Sequence, residues 1–119
     1  MRLALLTAVF AIASFTSTAM AANADFVLVN KTGYDINEVF ISPTNKQNWG
    51  NDRLGDYQLT NNDSVTMKFG DTKNCHQDIK VVFTDDESEA EWENFNLCEI
   101  NKIVLKYNRK TDEVSAEYD

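Results

Sequence analysis

Ile79-Lys80-Val81-Val82-Phe83-Thr84 sets apolar Ile79, Val81 and Phe83 on one side of an extended chain, with Lys80, Val82 and Thr84 on the other. Side chains of a β-strand alternate between its faces, so a period of two predicts a strand with one face in a core. The same alternation recurs on either side. Val65, Met67 and Phe69 alternate with Ser64, Thr66 and Lys68. Further upstream, Phe26, Leu28 and Asn30 alternate with Val27 and Val29, a first strand apolar enough to be buried on both sides or nearly so. The turn Asn30-Lys31-Thr32-Gly33 follows, then a second strand over 36–42. Ala90 and Trp92 mark another short run. Near the end, Ile103, Leu105 and Tyr107 face Val114, Ala116 and Tyr118 across the turn 108–112, which predicts a hairpin.

Helical evidence is thin. Residues 43–51 have room for one short helical turn, and 87–93 have fair helix propensity without an apolar stripe. Seven or eight short strands between Asn, Asp and Gly turns predict an all-β fold, a small antiparallel β-sandwich; a small barrel is the other architecture this spacing allows.

The first residues read as an address. Arg2, the apolar stretch 3–15 and the small-residue site Ala19-Met20-Ala21 have the order and proportions of a secretory signal peptide. The stretch is too short to cross a hydrocarbon core of ~30 Å as a helix. A second such site, Ala22-Asn23-Ala24, allows a cut as late as 24. We therefore expect a signal peptide over 1–21, a single β domain over 22–119 and a periplasmic or secreted protein. Without Arg2, the chain's 11 basic side chains become 10 against 19 acidic ones, a net charge of −9. That field repels nucleic acid and anionic lipid, and favours cations, basic proteins or plain solubility.

Both cysteines, Cys75 and Cys98, fall in the exported part, and an even number in an oxidising compartment predicts a disulfide. Closing a loop of about 24 residues contributes roughly 3–3.5 kcal/mol in the chain-entropy account. Cys75 precedes the Ile79 strand and Cys98 follows the Trp92 strand, so the bridge would tether neighbouring strands.

The stretch Phe26-Val27-Leu28-Val29-Asn30-Lys31-Thr32-Gly33-Tyr34 continues through Ile36, Val39, Ile41, Ser42 and Pro43. After it come Trp49-Gly50, Asp52, Leu54-Gly55, Cys75, Asp78, Trp92, Leu97-Cys98 and Ile103. In these residues the chain resembles a group of small exported bacterial proteins of uncharacterised function. The resemblance spans most of 22–119 and implies a compact β domain with no activity to carry over. The acidic run 85–93 is denser than that pattern needs.

Several residues carry a candidate chemistry beside a plainer role. The single histidine, His76, adjoins Cys75, but a Cys–His pair needs a thiolate, which a disulfide removes. No G-x-S-x-G elbow is present. Zinc on Cys75, His76, Cys98 and an acid lacks the usual ligand spacing. Calcium takes six to eight hard oxygens, and two strips are rich in them: Asp85, Asp86 and Glu87 with Glu89, Glu91 and Glu93, and Asp52, Asp56 and Asp63 with Asn51, Asn61 and Asn62. Neither matches the D-x-[DN]-x-[DN]-G loop, so the plainer reading is a solvated acidic surface. Paired carboxylates for glycoside hydrolysis need a cleft and one raised pKa, which sequence does not reveal. Trp49, Tyr57 and Tyr34 lie in loops beside glycine or acid and are the candidates for a protein- or glycan-binding platform; the plainer reading of Trp49 is a packed plug at one end of the sandwich, and Trp92, on an alternating strand, reads as core. Asn30-Lys31-Thr32 and Asn62-Asp63-Ser64 match the N-glycosylation pattern, but Asn30 reads better as a turn residue bonding its own backbone.

The expectation is an exported, non-catalytic binding or structural domain with no required cofactor and an unknown protein or glycan partner. The alternative is a calcium-dependent binding module using the acidic loops; a small hydrolase ranks below both.

Overall fold

Alternation in sequence becomes alternation in burial. In the computed structural model, which describes residues 22–119, nine strands form: β1 Ala22–Asn23, β2 Phe26–Asn30, β3 Ile36–Pro43, β4 Ser64–Met67, β5 Asp71–Thr72, β6 His76–Phe83, β7 Glu89–Asn96, β8 Lys102–Asn108 and β9 Glu113–Tyr118. The predicted signal peptide, 1–21, lies outside the described residues. Seven strands build two sheets, one of order β4-β2-β8-β9 and one of order β3-β6-β7. β1 and β5 form a separate two-stranded ribbon. The fold is the expected all-β, sandwich-like arrangement, and the described residues contain no helix. The stretch 43–51 is a strand end and turns, and 87–93 enters β7, where Ala90 and Trp92 point inward between glutamates.

One pairing departs from the expected antiparallel pattern. β2 runs parallel to β8, with Leu28 opposite Ile103, while every other ladder is antiparallel. Parallel neighbours need a long crossover, and here the chain between them builds the whole second sheet. The hairpin β8–β9 forms in the expected register, Ile103 opposite Tyr118, Leu105 opposite Ala116 and Tyr107 opposite Val114.

The core lies between the sheets. Phe26, Leu28, Ile103 and Leu105 come from one side; Val39, Ile41, Ile79, Val81, Phe83, Ala90, Trp92 and Phe95 from the other. β2 is buried on one face only, since Val27 and Val29 are half-buried. The Cys75–Cys98 disulfide ties the chain before β6 to the chain after β7, beside a bond from the Leu97 amide to the Cys75 carbonyl.

Asn30 sits in the core with no exposed surface, yet its side chain is fully used. Its Oδ1 accepts from the Thr32 amide and hydroxyl, and its Nδ2 donates to the Tyr34 and Leu59 carbonyls. This is the self-bonding turn expected from the sequence, made tight by Gly33 at φ 91°. A burial of this kind is tolerated because each polar atom keeps a partner.

Candidate functional site

The connection from β3 to β4 runs over 44–63, twenty residues without a strand or helix of its own. Loops beyond about 12–15 residues are uncommon in compact domains and are usually functional or disordered. This one is held. Thr44 donates through its amide to the His76 carbonyl and through Oγ1 to Asp78 Oδ1. The Asn45 amide reaches Asp78 Oδ2 at 3.3 Å, and the Asn48 amide reaches Ser42 Oγ at 2.8 Å. Asp78 and Ser42 are only 4% and 0% exposed, so two polar groups are buried beneath the loop to grip its backbone. Asp78 also accepts from the Asn94 amide at a β7 irregularity, which joins the loop to all three strands of the sheet.

The held loop is strained. Asn45, Gln47 and Gly50 have φ of 67°, 50° and 68°, and for a glutamine the left-handed region is unfavourable. Strain persists where surrounding contacts over-determine it, and it gathers at sites of function. The residue this loop delivers is Trp49, half-buried on the outer face of the three-stranded sheet. Lys80 Nζ lies 5.0 Å from the Trp49 ring and 5.1 Å from the Phe40 ring. Phe40, Lys80 and Glu91 stand side by side across β3, β6 and β7 by register, with Glu89 and Val82 as the next pair. The arrangement is an aromatic–cation platform bordered by exposed carboxylates.

The other predicted binding aromatics are not part of it. Tyr57 is 46% exposed and donates to Asp63 Oδ2 at 2.6 Å, a bond that raises the Tyr57 pKa and lowers that of Asp63. Tyr34 lies under the Arg109 guanidinium, 3.6 Å from its ring centroid, and edge-on to Phe83.

The acidic strips are occupied separately. Asp85 takes two bonds from Arg109, and Asp86 lies 3.4 Å from the same guanidinium. The Ser88 hydroxyl and amide, and then Arg109, hold the Asp86 carboxyl below its ordinary pKa. Glu87 is exposed in the β6–β7 turn. Asp52 accepts from the Val39 and Leu54 amides, Asp63 from Tyr57 and Ser64, and Asp56 is exposed in a turn. Among the described residues, no three His, Cys, Asp or Glu side chains are grouped to hold a metal ion. His76 is exposed and bonded through Nδ1 to Asn94. Both cysteine sulfurs are in the disulfide.

Sequence reading missed Lys80, Phe40, Asp78 and Ser42 as parts of the site. The alternation of β3 and β6 already put Phe40 and Lys80 on the outward faces. Nothing local signalled that Trp49 would fold back over them.

No protein-family model matches the chain, and no curated protein matches it significantly. Among solved structures, it is similar in fold to a protein from Eubacterium rectale determined by NMR. The two are 10% identical with a TM-score of 0.54, and the likeness covers 84% of this chain and 89% of that one. At this identity the likeness bears on the fold alone. No described helix is long and apolar enough to cross a membrane.

Proposed function

We propose that the chain is an exported, non-catalytic domain that binds a protein or glycan partner outside the cytoplasm through the Trp49–Lys80–Phe40 platform. One observation carries this reading: buried Asp78 and Ser42 hold a strained loop that lays Trp49 on the sheet surface. A residue needed only for packing would not call for that scaffold. A preformed aromatic surface binds with less loss of conformational entropy than a mobile one.

Export is supported by the leader-like first residues and by the disulfide, which persists in oxidising compartments. Ala24 is fully buried and its amide bonds Gly70, so a cut after 21 would keep it in the core while a cut after 24 would remove it. A non-catalytic role is supported by the capture of both thiols and by His76 pairing with an asparagine rather than a nucleophile.

The test is a screen of the oxidised 22–119 chain on an array of extracellular glycans and secreted proteins, repeated with Trp49→Ala and Lys80→Ala. A ligand held by the parent and lost by both variants is expected. A ligand held equally by all three would move the binding surface elsewhere.

A further inference from the structure

A second feature of the 44–63 connection lies away from Trp49. Where it passes β3, the Arg53 amide donates to the Val39 carbonyl at 2.7 Å, and Asp52 accepts from the amides of Val39 and Leu54. These bonds fix the backbone of Arg53 at the seam between the two sheets, beside edge strand β4. A recess of about 190 Å³ opens there, lined by Ile41, Arg53, Thr66, Met67, Lys68 and Phe69. At its base lie Ile41 and Met67, 3% and 4% exposed, and the half-buried Phe69 supplies most of its apolar surface. Its rim is cationic. The Arg53 guanidinium lies 4.9 Å from the Phe69 ring centroid, and Lys68 is exposed beside it.

Among the described residues, neither cation has an ion-pair partner. Beyond the leader the chain has two arginines, and Arg109 is neutralised by Asp85 and Asp86. Arg53 and Lys68 form no ion pair among the described residues, although acids outnumber bases nearly two to one in the chain. The nearest sequence neighbour, Asp52, has its Oδ1 turned to backbone amides. A guanidinium over a ring still has N–H donors to offer a planar carboxylate.

We infer that this recess binds a small carboxylate carrying a short alkyl or aryl group. The tail would lie on Ile41, Met67 and Phe69, and the carboxylate would face Arg53 and Lys68. The volume falls below the ~300–1,000 Å³ of sites for drug-sized ligands, so the ligand is limited to one short chain and its headgroup. Charge complementarity selects an acid over an alcohol or an amine. The site is separate from the Trp49 platform, and its test does not depend on that reading.

The test is a titration of the oxidised, isotope-labelled 22–119 chain with hexanoate, followed by amide shifts in two-dimensional NMR. Acetate, hexanol and hexylammonium serve as controls for tail, charge and sign. Saturable shifts at Ile41, Arg53 and 66–69 with hexanoate are expected, with the controls at least about tenfold weaker. The exposed pair Arg53→Gln and Lys68→Gln should weaken hexanoate by about tenfold or more, the size of a lost charge-assisted contact. Phe69→Ala, which leaves both charges, should weaken it as well. Hexanol binding as tightly as hexanoate, or unchanged affinity in the folded double variant, would overturn the inference. So would saturation by a short glutamate-bearing peptide with none by hexanoate, which would assign the recess to a protein-borne acid.

Discussion

The sandwich has two long seams, and they are built from different materials. Where β7 meets β9, Trp92 is 3% exposed and its indole N–H donates to the Ser115 carbonyl at 2.7 Å. Phe95 packs edge-on against Tyr118 nearby. On the β4 side, the 44–63 connection is joined to β3 by the Ile36–Leu59 bridge and by the bonds of Asp52 and Arg53 to Val39. Farther along lies the Arg53–Phe69 recess. One seam buries aromatic area against backbone. The other is covered by a connection whose exposed side chains are mostly polar, Arg53, Asp56 and Tyr57 among them. Stability scales with buried apolar area, so the first seam should carry the fold and the second should tolerate change.

The largest expected effect follows directly. Trp92→Ala should destabilise by about 3–5 kcal/mol, as large-to-small core changes do, and lower Tm by more than about 12 °C in a chain of this length. A loss below about 1 kcal/mol by urea denaturation would break the contrast. Removing the disulfide with the pair Cys75→Ala and Cys98→Ala should rank next, at about 3.5 kcal/mol, since it frees a loop spanning a sequence separation of 23. That bridge reinforces the β6–β7 side again.

On the other seam, Arg53→Gln should shift stability by no more than about 0.5 kcal/mol, because an exposed side chain is removed while the backbone bond to Val39 remains. Stability lost there on the scale of Trp92→Ala would make the two seams equivalent.

The smallest effect is expected in acid. Asp63, Asp86 and Glu117 are held below their ordinary pKa by Tyr57, by Ser88 and by Lys106 respectively. A depressed carboxyl stabilises the fold above its unfolded pKa, and that contribution fades as pH falls through the folded value. All three groups are on the surface. Stability should therefore stay level from pH 7 to about pH 5 and decline gently below about pH 4, as read by melts across that range.

Much of this contrast was legible in the sequence, and the reasons are specific. The hairpin register, the burial of Trp92, the Asn30 turn and the disulfide follow from alternation, local spacing and compartment, which act over short distances or through pairs with few alternatives. The parallel contact of β2 with β8 was not legible. Period two tells which face a residue occupies but not which strand lies beside it. Asp85 and Asp86 read as solvated surface, with calcium ligation as the alternative, because Arg109, their partner, arrives from another hairpin. Trp49 read correctly as a loop aromatic. Its place over Lys80 depends on Asp78, a residue that looks unremarkable in sequence and acts from beneath the loop.

Amide hydrogen exchange of the oxidised 22–119 chain tests most directly whether the 44–63 connection is a preformed surface. The amides of Asn45, Asn48, Arg53 and Leu54 donate to Asp78, Ser42, Val39 and Asp52. The account predicts protection at all four well above that of an unstructured peptide, and its loss at Asn45 in Asp78→Ala with β2 and β8 still protected. Exchange of the four amides at unstructured rates in the parent protein would contradict it, leaving a mobile tether where a held binding surface is claimed.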